Sequence, residues 1–303
     1  MTGKNNLAAS IAARLLNQAR ESGANHETLL TSYCLERFLH RLGASDLRER
    51  FVLKGAMLLR LWSDHPYRAT RDLDLLRRGD GDFESIRQDL STVVMTPVTA
   101  DAVHFETRSI TVEAIRAQDE YAGARATMLA RVGKARLRLQ VDMGVGKTVW
   151  PAPTLCIYPT LLDFPPPRVL AYPREAVVAE KLEAMVVLGD RNSRIKDFFD
   201  LHHLASRFEF DRATLSEAVR RTFEQRLTPV PAKDPIGLTT AYWQNPSRPT
   251  QVRAFARRAQ LDVPETPAEH FTHLLHAFLS PILEDLRRGM KPQGTWPPGG
   301  PWR

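Results

Sequence analysis

The spacing of apolar residues changes twice along this chain, and this change limits the possible folds more than any other feature. Apolar residues recur every three or four positions over 5–50, and again from Arg174 almost to the end, which is typical of amphipathic helices. Between these parts, from about 102 to 145, apolar and polar residues alternate in short segments, which is typical of strands with one buried face. The sequence therefore predicts an α+β fold with a mixed sheet and an α-helical C-terminal half.

Prolines and glycines indicate where these parts meet. At 303 residues the chain is long enough for more than one domain. Prolines from Pro151 to Pro167 mark a long irregular connection, and Pro173 can open the helix that follows. The segment 291–303 is rich in proline and glycine, which favours disorder. We expect N-terminal helices over 1–50, an α/β core over 51–165, a helical domain over 166–290 and a disordered tail over 291–303.

Composition narrows the class of protein. No apolar run approaches the ~20 residues of a membrane span, and the N-terminus has no apolar core of the kind found in signal peptides. Cys34 and Cys156 are the two cysteines, too few for a disulfide framework, so we expect a cytoplasmic protein with no membrane partner. The net charge of +7 suits a polyphosphate or nucleic-acid partner. An arginine-rich composition that only keeps the protein soluble explains this charge equally well.

The stretch Thr70–Leu76 carries two acidic residues on one predicted strand. Side chains alternate along a strand, so Asp72 and Asp74 share a face while Leu73 and Leu75 enter the core. Two carboxylates ~7 Å apart repel each other unless a cation lies between them. Mg²⁺ binds one or two protein carboxylates and leaves room for phosphate oxygens. The alternative is a strand whose acids only face solvent.

Two further segments could complete a site at this strand. Phe51–Trp62 reads as a strand end, a turn at Gly55 and a helix start whose free amides could hold a phosphate. Asp142 ends the alternating segment Arg136–Asp142 and shares a polar face with Arg138 and Gln140. It could be a third metal ligand or a general base, or simply a strand-end aspartate.

Lys181 lies within an apolar stripe of its predicted helix. A buried ammonium needs an anionic partner, either a carboxylate or a nucleotide phosphate, unless the side chain reaches solvent past the edge of the core. Asp197 and Asp200 lie one turn apart in the next helical segment and are candidate partners. They could equally form ion pairs within that helix, such as Lys196 with Asp200.

In order and spacing, these motifs resemble the AbiEii/AbiGii family of bacterial nucleotidyltransferase-like toxins, which includes the MenT toxins. The motifs are KGAMLL, RATRDLDL, VD, AEKLEA and RIKDFFDL, and they cover roughly residues 30–205. The resemblance implies a DNA-polymerase-β-like core in an abortive-infection or toxin–antitoxin system. It also implies Mg²⁺ (or Mn²⁺), a nucleoside triphosphate donor and, in some relatives, the 3′ end of tRNA as acceptor.

Carried over by position, the resemblance makes Asp72 and Asp74 metal ligands and Lys181 the catalytic lysine. It makes Asp200 the late aspartate, with Asp197 as the second candidate. Asp142 is the third acid of the metal site. The nucleotide-binding candidates are Lys54, Gly55, Ala56, Arg71, Lys181, Arg191 and Asp197. Many nucleotidyltransferases have glycine or serine where this chain has Ala56, which supplies no hydroxyl to a phosphate.

The sequence therefore predicts a toxin-like enzyme that transfers a nucleoside monophosphate from a triphosphate to an acceptor hydroxyl, with tRNA and a cognate antitoxin as expected partners. One alternative is a nucleotidyltransferase that acts on a protein or a small molecule. Another is a non-catalytic nucleic-acid-binding relative, which Ala56 makes plausible.

Overall fold

The computed structural model describes residues 2–63, 70–115, 123–146, 149–290 and 292–303, with side chains from residue 6 onward. The chain divides into two compact units, and each is described by itself. The first comprises Met1–Thr148 and Pro153–Tyr172, and the second comprises Val149–Ala152 and Pro173–Arg303. The first unit thus contains both the N-terminal helices and the sheet.

The first unit has three α-helices in its described part, and the first two lie where the apolar spacing predicts helices. They are α1 (Thr2–Ser22), α2 (His26–Ala44) and α3 (Phe83–Met95). Asn25 caps α2 by accepting a hydrogen bond from the backbone N–H of Thr28, and Asp82 caps α3 by accepting from that of Ser85.

A seven-stranded mixed sheet forms the centre of the first unit, in the order β3-β4-β5-β2-β1-β7-β6. The predicted α+β fold with a mixed sheet is confirmed. The strands are β1 (Phe51–Lys54), β2 (Asp72–Arg77), β3 (Val103–Ala114), β4 (Gly123–Val132), β5 (Ala135–Val145), β6 (Thr154–Ile157) and β7 (Arg168–Ala171).

The strands predicted from the alternation over about 102 to 145 are confirmed as β3, β4 and β5, which are adjacent and antiparallel in the sheet. The segments Val103–Phe105 and Ser109–Ile115 read as separate strands in the sequence. In the structure β3 runs through both, with a shift in register between Glu106 and Thr111. An irregularity of this kind interrupts the alternation without ending the strand, so the sequence pattern breaks where the strand does not.

The connection after β5 differs from the prediction. The prolines from Pro151 to Pro167 indicate an irregular segment, yet β6 lies within it and pairs antiparallel with β7, which in turn pairs parallel with β1. The sheet therefore continues beyond the predicted end of the core. β6 and β7 have four residues each, too few for a periodic pattern to identify them.

The second unit is largely helical, as the apolar spacing predicts. Its helices are α4 (Arg174–Leu188), α5 (Ile195–Arg207), α6 (Arg212–Gln225), α7 (Arg248–Ala259) and α8 (Pro267–Arg288). Among the described residues of either unit, no helix is both long enough and apolar enough to cross a bilayer.

The prediction of a disordered tail over 291–303 is wrong for the residues that the structure describes. Thr295–Trp296 forms β9, which pairs with β8 (Phe210–Asp211). The Trp296 side chain is fully buried, and its Nε1–H donates to the carbonyl of Ala205 at 2.7 Å. The proline and glycine content suggested disorder, but a large buried aromatic side chain with a satisfied polar group anchors the segment.

Candidate active site

The turn after β1 brings the backbone against a carboxylate. β1 ends at Lys54, and a short 3₁₀ helix, Gly55–Arg60, follows it directly. Gly55 has a φ of +71°. A Cβ at this position would lie 2.5 Å from the Cγ of Asp74. Only glycine combines this backbone conformation with so close an approach, so the turn and the Asp74 side chain form one local arrangement.

Asp72 and Asp74 lie on the same face of β2, as the alternation predicts. Leu73 and Leu75 between and beyond them are fully buried, while Asp72 is exposed and Asp74 is half-buried. In the antiparallel β1–β2 pair, Asp74 is opposite Lys54. The strand thus presents two carboxylates at an accessible face, with the Gly55 turn beside one of them.

Asp142 lies next to Asp74 in the parallel β2–β5 pair. Both of its carboxylate oxygens accept hydrogen bonds from Arg125 on β4, Oδ1 from Nε and Oδ2 from Nη2, each at 2.8 Å. The Gln140 amide donates to the same carboxylate at 3.2 Å. The structure thus brings Asp142 to the predicted acids but places it in a bidentate ion pair, the strongest form of arginine–carboxylate contact.

Arg125 connects the acids of this face electrostatically. Its hydrogen bonds to Asp142 raise the pKa of the Arg125 guanidinium above its ordinary value, and the negative charges of Asp142 and Asp72 add to the effect. The positive charge of Arg125 therefore offsets the mutual repulsion of carboxylates on neighbouring strands.

The donor set at this face fits a Mg²⁺ ion held by two carboxylates. Mg²⁺ commonly uses one or two protein carboxylates and completes its shell with water and phosphate oxygens, which Asp72 and Asp74 allow. In the described part of the chain, no group of three or more His, Cys, Asp or Glu side chains is arranged to hold a metal ion. A third ligand from Asp142 stays a prediction, because Arg125 would first have to release that carboxylate.

The other nucleotide-binding candidates of the first unit lie at or near this edge. The Nζ of Lys54 lies 5.4 Å from the centre of the Tyr172 ring. Ala56 is buried in the 3₁₀ helix, so it offers no polar side chain. Arg71, directly before the strand, is exposed and donates from Nη2 to the Thr28 hydroxyl at 3.1 Å. Their role in binding nucleotide stays a prediction.

Lys181 is engaged within the second unit. Its Nζ donates to Oδ2 of Asp200 at 2.9 Å and to Oδ1 of Asp197. The Lys181 side chain is 16% exposed, and those of Asp197 and Asp200 are 7% and 2% exposed. The sequence left open whether the anionic partner of Lys181 is a carboxylate or a nucleotide phosphate. In the structure, Lys181 contacts two carboxylates. Arg191, another nucleotide-binding candidate, is exposed at the end of the 3₁₀ helix Gly189–Arg191.

Sequence reasoning did not identify Arg125 and Tyr172 as residues of this edge. Arg125 lies at the beginning of a segment that the alternation does predict as a strand. However, its partnership with Asp142 follows from the register of two strands and not from any local pattern. Tyr172 directly follows β7, which the sequence did not predict.

A family model described as "Nucleotidyl transferase AbiEii toxin, Type IV TA system" matches residues 37–284. The match covers most of the chain and includes every candidate site residue, so the protein is of the nucleotidyltransferase class. It belongs to the AbiEii family of nucleotidyltransferase toxins of type IV toxin–antitoxin systems. The resemblance that the sequence motifs suggest is thereby confirmed.

Two solved structures from Helicobacter pylori are similar to this chain, each at 14% sequence identity. JHP933 has a TM-score of 0.48, with 88% of this chain and 95% of that chain covered. A second structure, described as a candidate nucleotidyltransferase, has a TM-score of 0.45, with 87% and 98% covered. Similarity at this level carries no functional conclusion. A comparison with curated protein sequences gives no match.

Proposed function

We propose that this protein uses Mg²⁺ to transfer a nucleoside monophosphate from a nucleoside triphosphate to an acceptor hydroxyl. Our first candidate for the acceptor is the 3′ end of tRNA. The observation that carries the proposal is the face of β2, where Asp72 and Asp74 stand side by side and the Gly55 turn meets Asp74. Membership of a nucleotidyltransferase toxin family supports it. We further propose a cytoplasmic location and a cognate antitoxin as a protein partner.

In this proposal Asp72 and Asp74 hold Mg²⁺, with Mn²⁺ as an alternative ion. The ion, when bound, would offset the negative charge of the triphosphate. The acceptor oxygen attacks the α-phosphorus in line, the bond to pyrophosphate breaks, and the hydroxyl proton passes to a carboxylate. Asp142 is our candidate for that carboxylate. It can accept a proton only if Arg125 gives up one of its two hydrogen bonds.

Lys181 and Asp200 are proposed to act in the same reaction because the family resemblance assigns them catalytic positions. The described contacts of Lys181 with Asp197 and Asp200 also fit a purely structural role. The variants described in the Discussion separate these two possibilities.

The test is to incubate the purified protein with total RNA and Mg²⁺, with each labelled nucleoside triphosphate in turn. We expect one triphosphate to label tRNA, and the Asp72→Asn and Asp74→Asn variants to lose at least a hundredfold in rate. Asp163→Asn removes the same charge from an exposed side chain paired with Arg14 and serves as the control. Unchanged labelling by Asp74→Asn would disprove the assignment, and labelling of a protein or small molecule instead would replace tRNA as the acceptor.

Ala56 favours a second candidate, a non-catalytic relative that binds nucleic acid. Its buried methyl group gives a phosphate no hydroxyl to bind. Calorimetric titration with triphosphate, with and without Mg²⁺, distinguishes the two candidates. Mg²⁺-dependent binding that Asp74→Asn abolishes supports the enzyme, and lack of any triphosphate binding supports the second candidate.

A further inference from the structure

The helix α7 carries a positive surface that no acidic residue of the helix itself neutralises. Its sequence, RPTQVRAFARRA, contains no aspartate or glutamate. Arg253, Arg257 and Arg258 are exposed, and no described carboxylate forms an ion pair with any of them. Arg253 donates from Nη2 to the Thr250 hydroxyl at 3.3 Å. We call these three arginines the α7 arginines.

The α7 arginines lie on one face of the helix. At about 100° per residue they span an arc of about 140°, together with Thr250 and Ala254. The opposite side packs into the second unit, where Val252 and Ala256 are fully buried and Phe255 contacts the ring of Phe199 at 5.0 Å. Packing therefore fixes which face of α7 meets solvent, and this is the face that bears the guanidinium groups.

Several exposed arginines on other helices have acidic partners one turn away. Arg87 pairs with Glu84, Arg220 with Glu217 and Arg288 with Glu284. On α7, Arg253 and Arg257 instead stand four residues apart as like charges, an arrangement that destabilises an isolated helix. The helix dipole favours arginines in the last turn, which accounts for Arg257 and Arg258 but not for Arg253. A polyanionic ligand would account for all three.

The chemistry of the face favours RNA over an acidic protein. Protein interfaces are centred on buried aromatic or large apolar side chains, and between the α7 arginines the face offers only Thr250 and Ala254. Guanidinium groups bind phosphate oxygens in a bidentate manner, and a row of them suits a repeating phosphate backbone.

We propose that the α7 arginines bind the phosphate backbone of the acceptor RNA. This inference deepens the proposed function and rests on it for the identity of the RNA. It is independent of that function for the binding itself, because no residue of the metal-binding face takes part. Contacts to phosphates position a nucleic acid without reading its sequence, so this surface would hold many tRNAs alike.

The test compares two triple variants in equilibrium binding to unfractionated tRNA, by fluorescence anisotropy in EDTA without nucleotide. Arg253→Gln, Arg257→Gln and Arg258→Gln together remove the α7 arginines. Arg87→Gln, Arg220→Gln and Arg288→Gln together remove the same charge from three ion-paired positions. Circular dichroism confirms that both are folded.

We expect the α7 variant to bind tRNA at least tenfold more weakly near physiological salt. The slope of log K against log salt should fall by about 2–3, as expected for three lost phosphate contacts. The control should stay within about twofold of the wild type, since its arginines are already engaged by carboxylates. An equal loss in both variants would show a general effect of net charge and overturn the proposal. The proposal would also be overturned if the α7 variant bound tRNA as tightly as the wild type but no longer bound an acidic protein partner.

Transfer assays on the same proteins separate this inference from the proposed function. Asp74→Asn should abolish transfer and leave tRNA binding intact. If the wild type transfers nucleotide to tRNA but the α7 variant binds tRNA as tightly as the wild type does, this inference alone is overturned. Conversely, suppose that only the α7 variant loses tRNA binding and that the wild type transfers no nucleotide to RNA. This result would overturn the proposed function and support the proposed RNA-binding surface on α7.

Discussion

The α-carbon of Gly55 faces the carboxylate of Asp74 with no space for a side chain between them. The turn at the end of β1 and the acid on β2 therefore determine each other's positions. Gly55 is needed here both for its positive φ and for this close approach.

We expect Gly55→Ala to lose at least a hundredfold in nucleotide transfer, because the new methyl group displaces the Asp74 carboxylate. Gly23→Ala is a matched control, since Gly23 has a φ of +68° and a methyl group added there would meet nothing within 4 Å. Both substitutions carry the backbone cost of about 1–2 kcal/mol. Urea unfolding and transfer rates should show a stability loss in both and an activity loss in Gly55→Ala alone. Equal activity in the two variants would show that the close approach has no role in the reaction.

Arg125→Ala is expected to bind Mg²⁺ or Mn²⁺ about tenfold more tightly than the wild type. The substitution frees both oxygens of Asp142 and removes a positive charge from the face that carries Asp72. Arg131→Ala, six residues along the same strand and paired with Glu106, is the control. Calorimetric titration measures the affinities, and an unchanged value for Arg125→Ala would rule out a third ligand from Asp142.

Lys181→Met should lower the free energy of unfolding by about 3 kcal/mol, because it leaves Asp197 and Asp200 buried without their lysine partner. Lys196→Met, at an exposed position on α5, should change stability little. The double variant Lys181→Met/Asp200→Asn should recover part of the loss, as measured by urea unfolding.

The same variants test the role of Lys181 in the reaction. If the double variant recovers stability and still transfers no nucleotide, Lys181 or Asp200 acts in the reaction itself. Recovery of transfer together with stability would make the cluster purely structural and contradict the role that the family resemblance assigns.

Stability should fall between about pH 6.5 and about pH 4 because of the half-buried His202. Burial, with the neighbouring charges of His270 and His203, lowers the pKa of His202 from its ordinary value to about 4. In this range the unfolded chain binds protons that the folded chain does not, so acid favours unfolding. Burial also lowers the pKa of His270, which acts in the same direction.

His202→Phe should flatten this dependence, since phenylalanine can retain the stacking on His270 without titrating. Urea unfolding of the variant and of His273→Phe, an exposed position on α8, measures the two slopes. Equal slopes would show that His202 does not cause the loss of stability in acid.

Local periodicity was sufficient to predict part of the candidate active site. The alternation along β2 placed Asp72 and Asp74 on one face, and the helical spacing placed Asp197 and Asp200 one turn apart on α5. The same spacing showed that Lys181 needs an anionic partner. Each of these features depends on residues within one turn or a few positions of a strand, and that information is present in the sequence of the segment itself.

The proline-rich segments show the limit of such reasoning. Composition favoured an irregular connection before Pro167 and a disordered tail after residue 290. Instead β6 and β7 extend the sheet, and Trp296 anchors β9 in the second unit. Short strands carry too few residues for a period, and burial of one tryptophan is an effect of packing that composition does not contain.

The sequence by itself determined the α+β class, the family motifs and the shared face of Asp72 and Asp74, because all of these follow from local spacing and the order of residues. Only the tertiary structure decided that Arg125 holds Asp142, that Gly55 meets Asp74 and that Lys181 pairs with Asp197 and Asp200. Those partners lie 16 to 19 residues apart in the chain. Strand register and helix packing bring them together, and both depend on how whole elements bury their apolar faces against one another.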